Sequence, residues 1–160
     1  MINTTHNLMI AFCAVAAAAV TAYADTISSV EKLERVYRLK VRTVFTPSSL
    51  TTSRVLRYKM ARRADVRAYT PILLKEMSLY TPAVIKKLKL RQIVLCSKLV
   101  NDGKPAADLA SITDDTIVID VSMAADSPDY MRRAFHHEIM HLIDGRVNGT
   151  TKLDAKWTAC

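Results

Sequence analysis

Apolar residues recur over several helical turns between Ser127 and Asp144, which predicts a helix that is buried on most of its sides. Ser127 is a good N-cap residue, Pro128 suits the first helical position, and Asp129 lies in the first turn, where the helix dipole favours an anion. Gly145 follows and is predicted to end the helix. The apolar positions of this helix are Tyr130, Met131, Ala134, Phe135, Ile139, Met140, Leu142 and Ile143.

Helical spacing and capping signals also dominate the first half of the chain. The capping box formed by Ser28 and Glu31 predicts a helix over about 29–41, with one apolar stripe and a basic opposite face. A second helix is predicted over 53–68, after a loop rich in Ser, Thr and Pro. Two further helices are predicted to start at Thr-Pro pairs, at residues 70–71 and 81–82.

The apolar pattern then changes to one that is typical of strands. Residues 92–96 form a short apolar run rich in β-branched side chains, which predicts a buried strand, and the Asn-Asp-Gly sequence at 101–103 predicts a turn. Residues 109–113 and 116–121 flank the Asp pair at 114–115 and predict a hairpin. The predicted order of elements is therefore helices, then strands, then a final helix.

Residues 1–24 have the composition of a targeting segment. They contain no Asp, Glu, Lys or Arg, and an unbroken apolar run from Leu8 to Val20 ends near an Ala-Tyr-Ala sequence. The pattern predicts a secretory signal peptide cleaved before Asp25, and therefore a secreted or periplasmic protein. The run is short for a membrane span, but an uncleaved N-terminal anchor is the alternative, since the usual Lys or Arg before the run is missing. Phe12 before Cys13 argues against lipidation.

Cleavage of this segment would leave two cysteines, Cys96 and Cys160. These two residues could form one disulfide in an oxidising compartment. The alternative is that Cys96, which lies in the apolar run at 92–96, is simply a buried thiol. The chain has no C-x-x-C pair, so its cysteines do not predict a metal site.

Positive charge is concentrated in the first half of the chain. Between Glu31 and Arg91, sixteen Lys or Arg residues stand against four Asp or Glu residues, a balance of +12, whereas residues 92–160 have a balance of −3. This asymmetry could attract the protein to an anionic envelope surface, and the alternative is a basic helical face that is simply solvated. Sparse aromatic residues and the absence of a nucleic-acid-binding motif argue against nucleic acid as a partner.

The predicted C-terminal helix contains the motif H-E-x-x-H, formed by His137, Glu138 and His141. Residues four apart lie one turn apart on the same helix face, so both imidazoles can bind one metal ion. Glu138 can then point at a metal-bound water and act as general base, while zinc lowers the pKa of that water. The alternative is that both histidines are core residues and that Glu138 pairs with Arg132 or Arg133.

This motif, on a capped helix that follows a strand, resembles the active-site helix of the zincin metallopeptidases. The wider sequence from His136 to Asp144, followed by Asp154 and Trp157, is similar to bacterial zinc-binding metallopeptidases of the secreted or lipoprotein type, and the resemblance covers about residues 71–160. It implies a small α+β zincin-like domain, a bound Zn²⁺ and hydrolysis of a peptide or protein substrate. It also implies that an edge strand, here one of those between Leu109 and Val121, pairs with an extended substrate; the alternative is an ordinary sheet edge.

The third zinc ligand is the least determined part of the predicted site. A catalytic zinc needs three protein ligands and an open position, and no His or Glu follows His141. Asp154 is the candidate, since glycines before it allow the chain to reverse, an arrangement that resembles zincins with an Asp ligand. Asp144 is expected to orient a ligand histidine instead. The alternative is a chain that ends before its third ligand, with a minimal or truncated C-terminal subdomain.

These inferences combine into one expected organisation and one expected function. Residues 1–24 are predicted to be a signal peptide, 25–70 a basic helical N-terminal region and 71–160 the zincin-like domain. The expected function is that of a secreted zinc metallopeptidase. Two alternatives stay open: a truncated or non-catalytic zincin-like protein, and a basic envelope-associated binding protein in which the motif is incidental.

Overall fold

A computed structural model describes residues 28–43 and 56–147 of the 160-residue chain. The described residues have a mixed α+β fold with four helices and one mixed six-stranded sheet, as the sequence predicts for the class. In chain order, the elements are α1 (28–37), β1 (Lys40–Arg42), β2 (Leu56–Met60), α2 (Arg63–Met77), α3 (Pro82–Lys87), β3 (Gln92–Asn101), β4 (Lys104–Pro105), β5 (Asp108–Ser111), β6 (Thr116–Asp120), a 3-10 helix (Val121–Met123) and α4 (Pro128–Val147).

The sheet is built around β3, the longest strand. β1 and β6 run parallel to the first half of β3 on its two sides, and β2 and β4 run antiparallel to its second half. β5 is antiparallel to β6 and lies at one edge of the strand order β1-β3-β6-β5. Since β3 has neighbours on both sides and buried residues on both faces, the apolar run at 93–96 follows from its central position.

Alternate residues of the central strands face two different apolar clusters. Ile93 and Leu95 of β3 pack with the helices, whereas Val94 and Cys96 face the opposite side of the sheet. The helix-side cluster is the larger one and contains Phe135 of α4 among its fully buried side chains. The apolar face of α4 therefore packs directly against the sheet, which places the H-E-x-x-H motif beside it.

Two helices predicted in the first half of the chain are wrong in part. α1 ends before residue 41, since Arg38 takes a left-handed backbone conformation (φ 56°) and β1 then pairs with β3. The prediction of a helix over 53–68 misses β2, whose antiparallel pairing with β3 is a long-range contact that local spacing does not reveal. Both strands lie in the region that was expected to be helical.

The Thr-Pro pair at 70–71 does not start a helix. Pro71 lies inside α2, which begins at Arg63. The preceding residue, Arg62, donates a hydrogen bond of 2.8 Å to the Asp65 carboxylate in the first turn. Pro71 is exposed and costs the helix one backbone hydrogen bond, while Tyr69 and its apolar neighbours are buried on the other side of the helix. The predicted domain boundary at 70–71 accordingly falls within α2, and β1 and β2 share one sheet with β3.

Several local predictions are confirmed. Thr81 caps α3 by accepting a hydrogen bond from the Val84 backbone N–H, and Pro82 is its first residue. The turn at 101–103 joins β3 to β4, with Gly103 at a left-handed φ of 79°. The hairpin predicted around residues 114–115 is the β5–β6 pair.

Gly145 was predicted to end α4, but the helix continues to Val147. Arg146 explains the extension, because its guanidinium donates to the Ile112 carbonyl at 2.8 Å and pairs with the Asp115 carboxylate. These contacts tie the last turn of α4 to the β5–β6 loop. Tertiary contacts therefore override the weak helix preference of glycine.

The signal segment at 1–24 and the residues Asp154 and Cys160 lie outside the described residues. None of the described helices combines the length and apolar character needed to cross a membrane. Cys96 is a buried thiol in the smaller apolar cluster.

We expect the Cys96 thiol of the folded, reduced protein to resist alkylation at pH 8. Burial and then the charge of Asp120 raise the pKa of Cys96 to about 12, so the nucleophilic thiolate is scarce below that pH. Iodoacetamide labelling followed by mass spectrometry of the Cys96 peptide measures this. The unfolded protein is the control, because its thiol has a pKa of about 8.5 and is labelled readily. Equal labelling rates in the two states would contradict the packing of β3 described above.

Candidate metal centre

α4 places His137 and His141 one turn apart on a face that is open to solvent. The side chain of His137 is 56% exposed, and the two rings meet edge to face with centroids 4.4 Å apart. Their Nε2 atoms are 2.9 Å apart. Two nitrogens bound to one tetrahedral zinc are separated by about 3.3 Å, so a small movement of either ring would suit a shared ion.

The ligand atoms of His137, Glu138 and His141 all lie within 4.8 Å of one another. Imidazole nitrogens and carboxylate oxygens are the donors that zinc accepts in proteins, so the residues present fit this ion. Burial and the neighbouring His137 lower the pKa of His141, which favours the neutral imidazole that a metal ligand requires.

His136 precedes the motif but takes no part in this cluster. Its Nδ1 lies 2.6 Å from the Tyr80 hydroxyl and its Nε2 lies 2.9 Å from a carboxylate oxygen of Glu76, a buried residue of α2. Of the two adjacent histidines, the fold therefore uses His136 to join α4 to α2 and leaves His137 open to solvent.

Glu138 is only 3% exposed, and one of its carboxylate oxygens lies 4.0 Å from the His137 Nε2. Burial, followed by the charge of the nearby Asp108, raises the pKa of Glu138 to about 8. A side-chain hydrogen bond with Asp108 acts in the same direction, and a backbone hydrogen bond with Ala110 opposes it. A divalent cation beside this carboxyl group would favour its ionised form. Both neighbours belong to β5.

The edge strand β5 runs alongside α4, and its outer edge pairs with no other described strand. The Asp120 N–H donates to the Ala107 carbonyl across the β5–β6 pair, so alternate residues of β5 also bond to β6. The backbone groups of Asp108 and Ala110 therefore point away from β6, and a backbone hydrogen bond already joins Ala110 to Glu138. α4 and β5 thus lie side by side, with the motif next to the outer edge of β5.

The alternative in which the motif is structural does not agree with these contacts. His137 is exposed rather than in the core, and Arg132 pairs with Glu76 and Asp129. Within residues 28–43 and 56–147, no arginine forms an ion pair with Glu138.

The structure brings together three of the predicted site residues and adds one that sequence reasoning missed. The ligand atoms of His137, Glu138 and His141 lie close together, and the charge of Asp144 partly opposes the lowering of the pKa of His141. Asp154 is outside the described residues. Asp108 was missed because its carboxyl group reaches Glu138 only through the pairing of β5 and the packing of α4. Its position just before a predicted strand was the only local signal.

An apolar cavity of about 490 Å³ adjoins the start of β5. Ala107, in its wall, directly precedes Asp108, and Tyr130, also in its wall, lies two helical turns before His137 on the same side of α4. No residue of the cluster lines this cavity, whose wall lies next to Asp108 along the chain and about 10 Å from His137 along α4.

Comparisons with known proteins assign no family to this chain. No protein-family model, curated protein or solved structure matches the chain.

Proposed function

We propose that this chain is a zinc metallopeptidase of the zincin type that acts outside the cytoplasm. The observation that carries the proposal is the solvent-exposed pair of Nε2 atoms, 2.9 Å apart, with the buried Glu138 beside them. Export is part of the proposal because of the apolar segment at 1–24, which lies outside the described residues.

The arrangement of the sheet supports the same reading. An antiparallel edge strand, β5, lies next to the parallel strand β6, and the helix with the motif follows directly and runs beside that edge. The resemblance to zincins implies this placement, because the substrate of such an enzyme adds to the edge strand as a further strand. Among the strands between residues 109 and 121, β5 is the one in this position.

Each residue of the cluster has a role in the proposed reaction. A zinc ion held by His137 and His141 would polarise the scissile carbonyl and lower the pKa of the attacking water. Glu138 accepts a proton from that water and delivers it to the leaving amine. The outward backbone groups of β5 hold the substrate in an extended conformation, and the cavity beside Ala107 and Tyr130 has room for one of its apolar side chains.

The third ligand in this proposal is Asp154, which the chain would bring back to the two histidines after α4. Asp144 then acts on His141 from outside the ligand set, as its effect on the pKa of that histidine suggests. A truncated or non-catalytic protein would bind zinc through the same histidines without turnover, so zinc binding and hydrolysis need separate tests.

We expect the purified chain to bind about one zinc ion and to lose it when His137 or His141 is replaced by Ala. Zinc content is measured by elemental mass spectrometry after dialysis. His136→Ala is the matched control, since this residue contacts Tyr80 and Glu76 rather than the cluster. The control should keep its zinc and lose thermal stability. Zinc that survives in both His137→Ala and His141→Ala would refute the proposed site.

A further inference from the structure

A second cavity, of about 570 Å³, lies away from the H-E-x-x-H cluster, where the ends of α1 and α3 meet the start of β3. None of the metal-cluster residues lines it. Its volume is in the range of small-molecule binding sites. The lining residues are Val36, Tyr37, Arg38, Pro82, Ala83, Lys86, Lys89, Leu90 and Arg91.

The cavity wall is strongly cationic. Four of its nine residues carry a positive charge, Arg38, Lys86, Lys89 and Arg91, and none carries a negative charge. Arg91 pairs with Asp115 at 3.1 Å, but no carboxylate in the described part of the chain pairs with the other three. Four like charges around one concavity repel one another, and an anionic ligand would relieve that repulsion.

Two of these cations occupy a backbone conformation that is unfavourable for them. Arg38 and Lys89 have φ values of 56° and 57°, in the left-handed region just after α1 and α3. Glycine is the usual residue at that position after a helix, because a Cβ costs about 1 kcal/mol or more there. Both positions carry a long cationic side chain instead, and both line the same cavity.

The rest of the wall is apolar and partly open. Val36 is 47% exposed, and the exposed residues Pro82 and Ala83 complete the accessible apolar surface, with the buried Leu90 beneath them. A ligand that matches this wall has an anionic group and an apolar portion. Arg guanidinium groups bind phosphate oxygens in pairs and Lys acts as a point charge, so phosphate fits the cationic side better than a single carboxylate.

We propose that this cavity binds a phosphate-bearing ligand. Its four cations, Arg38, Lys86, Lys89 and Arg91, surround the phosphate, and Val36 and Pro82 lie against its apolar portion. The site is independent of the proposed peptidase activity, since it shares no residue with the metal cluster. The same phosphate chemistry occurs in soluble organic phosphates and in anionic lipid headgroups.

The test uses the full chain and two probes. Isothermal titration with inorganic pyrophosphate measures binding of a soluble phosphate, and co-sedimentation with phosphatidylcholine vesicles that contain phosphatidic acid measures binding of a headgroup. Binding should weaken as salt rises, because the contacts are charged and accessible to water. Tighter binding of the vesicles would identify the headgroup as the source, and tighter binding of pyrophosphate the soluble phosphate.

The decisive variant is Lys86→Gln with Lys89→Gln, compared with Lys75→Gln with Lys104→Gln. The two pairs remove the same charge from exposed positions, but only the first pair lines the cavity. Loss of two charge-assisted contacts should weaken binding of the preferred probe about 10- to 100-fold. The control pair should change it less than about twofold. Equal weakening in both pairs would show diffuse attraction by net charge and overturn the proposal, as would absence of binding to both probes.

Lys89→Gly separates binding from folding. Glycine suits the left-handed backbone at this position, so the melting temperature should stay unchanged or rise while binding of the preferred probe weakens. Unchanged binding in this stably folded variant would show that the Lys89 side chain does not contribute to binding and would contradict the proposal.

Discussion

Glu138→Gln should reduce peptide hydrolysis by about 10²- to 10⁴-fold while leaving the zinc content unchanged. Gln has nearly the same size and can still accept a hydrogen bond from the Ala110 backbone N–H, so the packing against β5 should persist. It cannot accept a proton from the attacking water, however. The loss should therefore appear in kcat more than in KM, because the substrate still binds to the β5 edge and only the proton transfer is lost.

The measurement combines zinc content with cleavage of a fluorescence-quenched peptide library by the zinc-loaded chain. Met140→Ala is a suitable control, since this side chain is 41% exposed on the same helix and offers neither a metal ligand nor a base to the proposed reaction. Hydrolysis that is sensitive to chelators and lost only in Glu138→Gln would support the peptidase. A zinc-loaded chain that cleaves no peptide would reject the enzyme and leave the non-catalytic zincin-like protein as the better account.

Phe135→Ala should lower the free energy of unfolding by about 3–5 kcal/mol. Phe135 is fully buried between α4 and the sheet, and its ring meets that of Tyr80 edge to face at 6.3 Å. Truncation to Ala removes this contact and leaves a cavity in the larger apolar cluster. Since small domains are stable by only about 5–15 kcal/mol in total, this loss would be a large fraction of the stability.

Urea unfolding followed by circular dichroism gives the change in free energy. Met140→Ala is again the comparison, because truncation of an exposed side chain usually changes stability by about 0.5 kcal/mol or less. The two substitutions lie five residues apart on one helix and remove apolar side chains, so their difference isolates burial. Similar values for the two variants would mean that α4 does not pack on the sheet through Phe135.

Local sequence was sufficient where one short segment contains all the interacting partners. The cap of α3 at Thr81, the turn at Gly103 and the β5–β6 hairpin each depend on residues a few positions apart, and all three are confirmed. The buried strand predicted at 92–96 was also confirmed, because its apolar run at 93–96 is buried on both faces of the sheet; β3 then continues to Asn101 through a partly polar stretch that the prediction did not include.

Local sequence failed where a distant partner decides the conformation. β1 and β2 were predicted as helix, and both are strands because they pair with residues of β3 that lie 36 to 52 positions further along the sequence. α4 continues beyond Gly145 for a similar reason, since Arg146 donates a hydrogen bond to the Ile112 carbonyl, 34 positions earlier in the sequence. Propensity is a small preference per residue, and such contacts outweigh it.

For the candidate site, the sequence by itself determined the pair His137 and His141 and their neighbour Glu138, because the period of a helix places residues four apart on one face. Only the tertiary structure decided which histidine of the adjacent pair is open to solvent, since Glu76 and Tyr80 bind His136 from another helix. It also decided that Asp108 and the open edge of β5 lie against Glu138. The physical reason is that spacing fixes the direction of a side chain around its own helix, whereas its neighbours depend on how the helix packs against the rest of the chain.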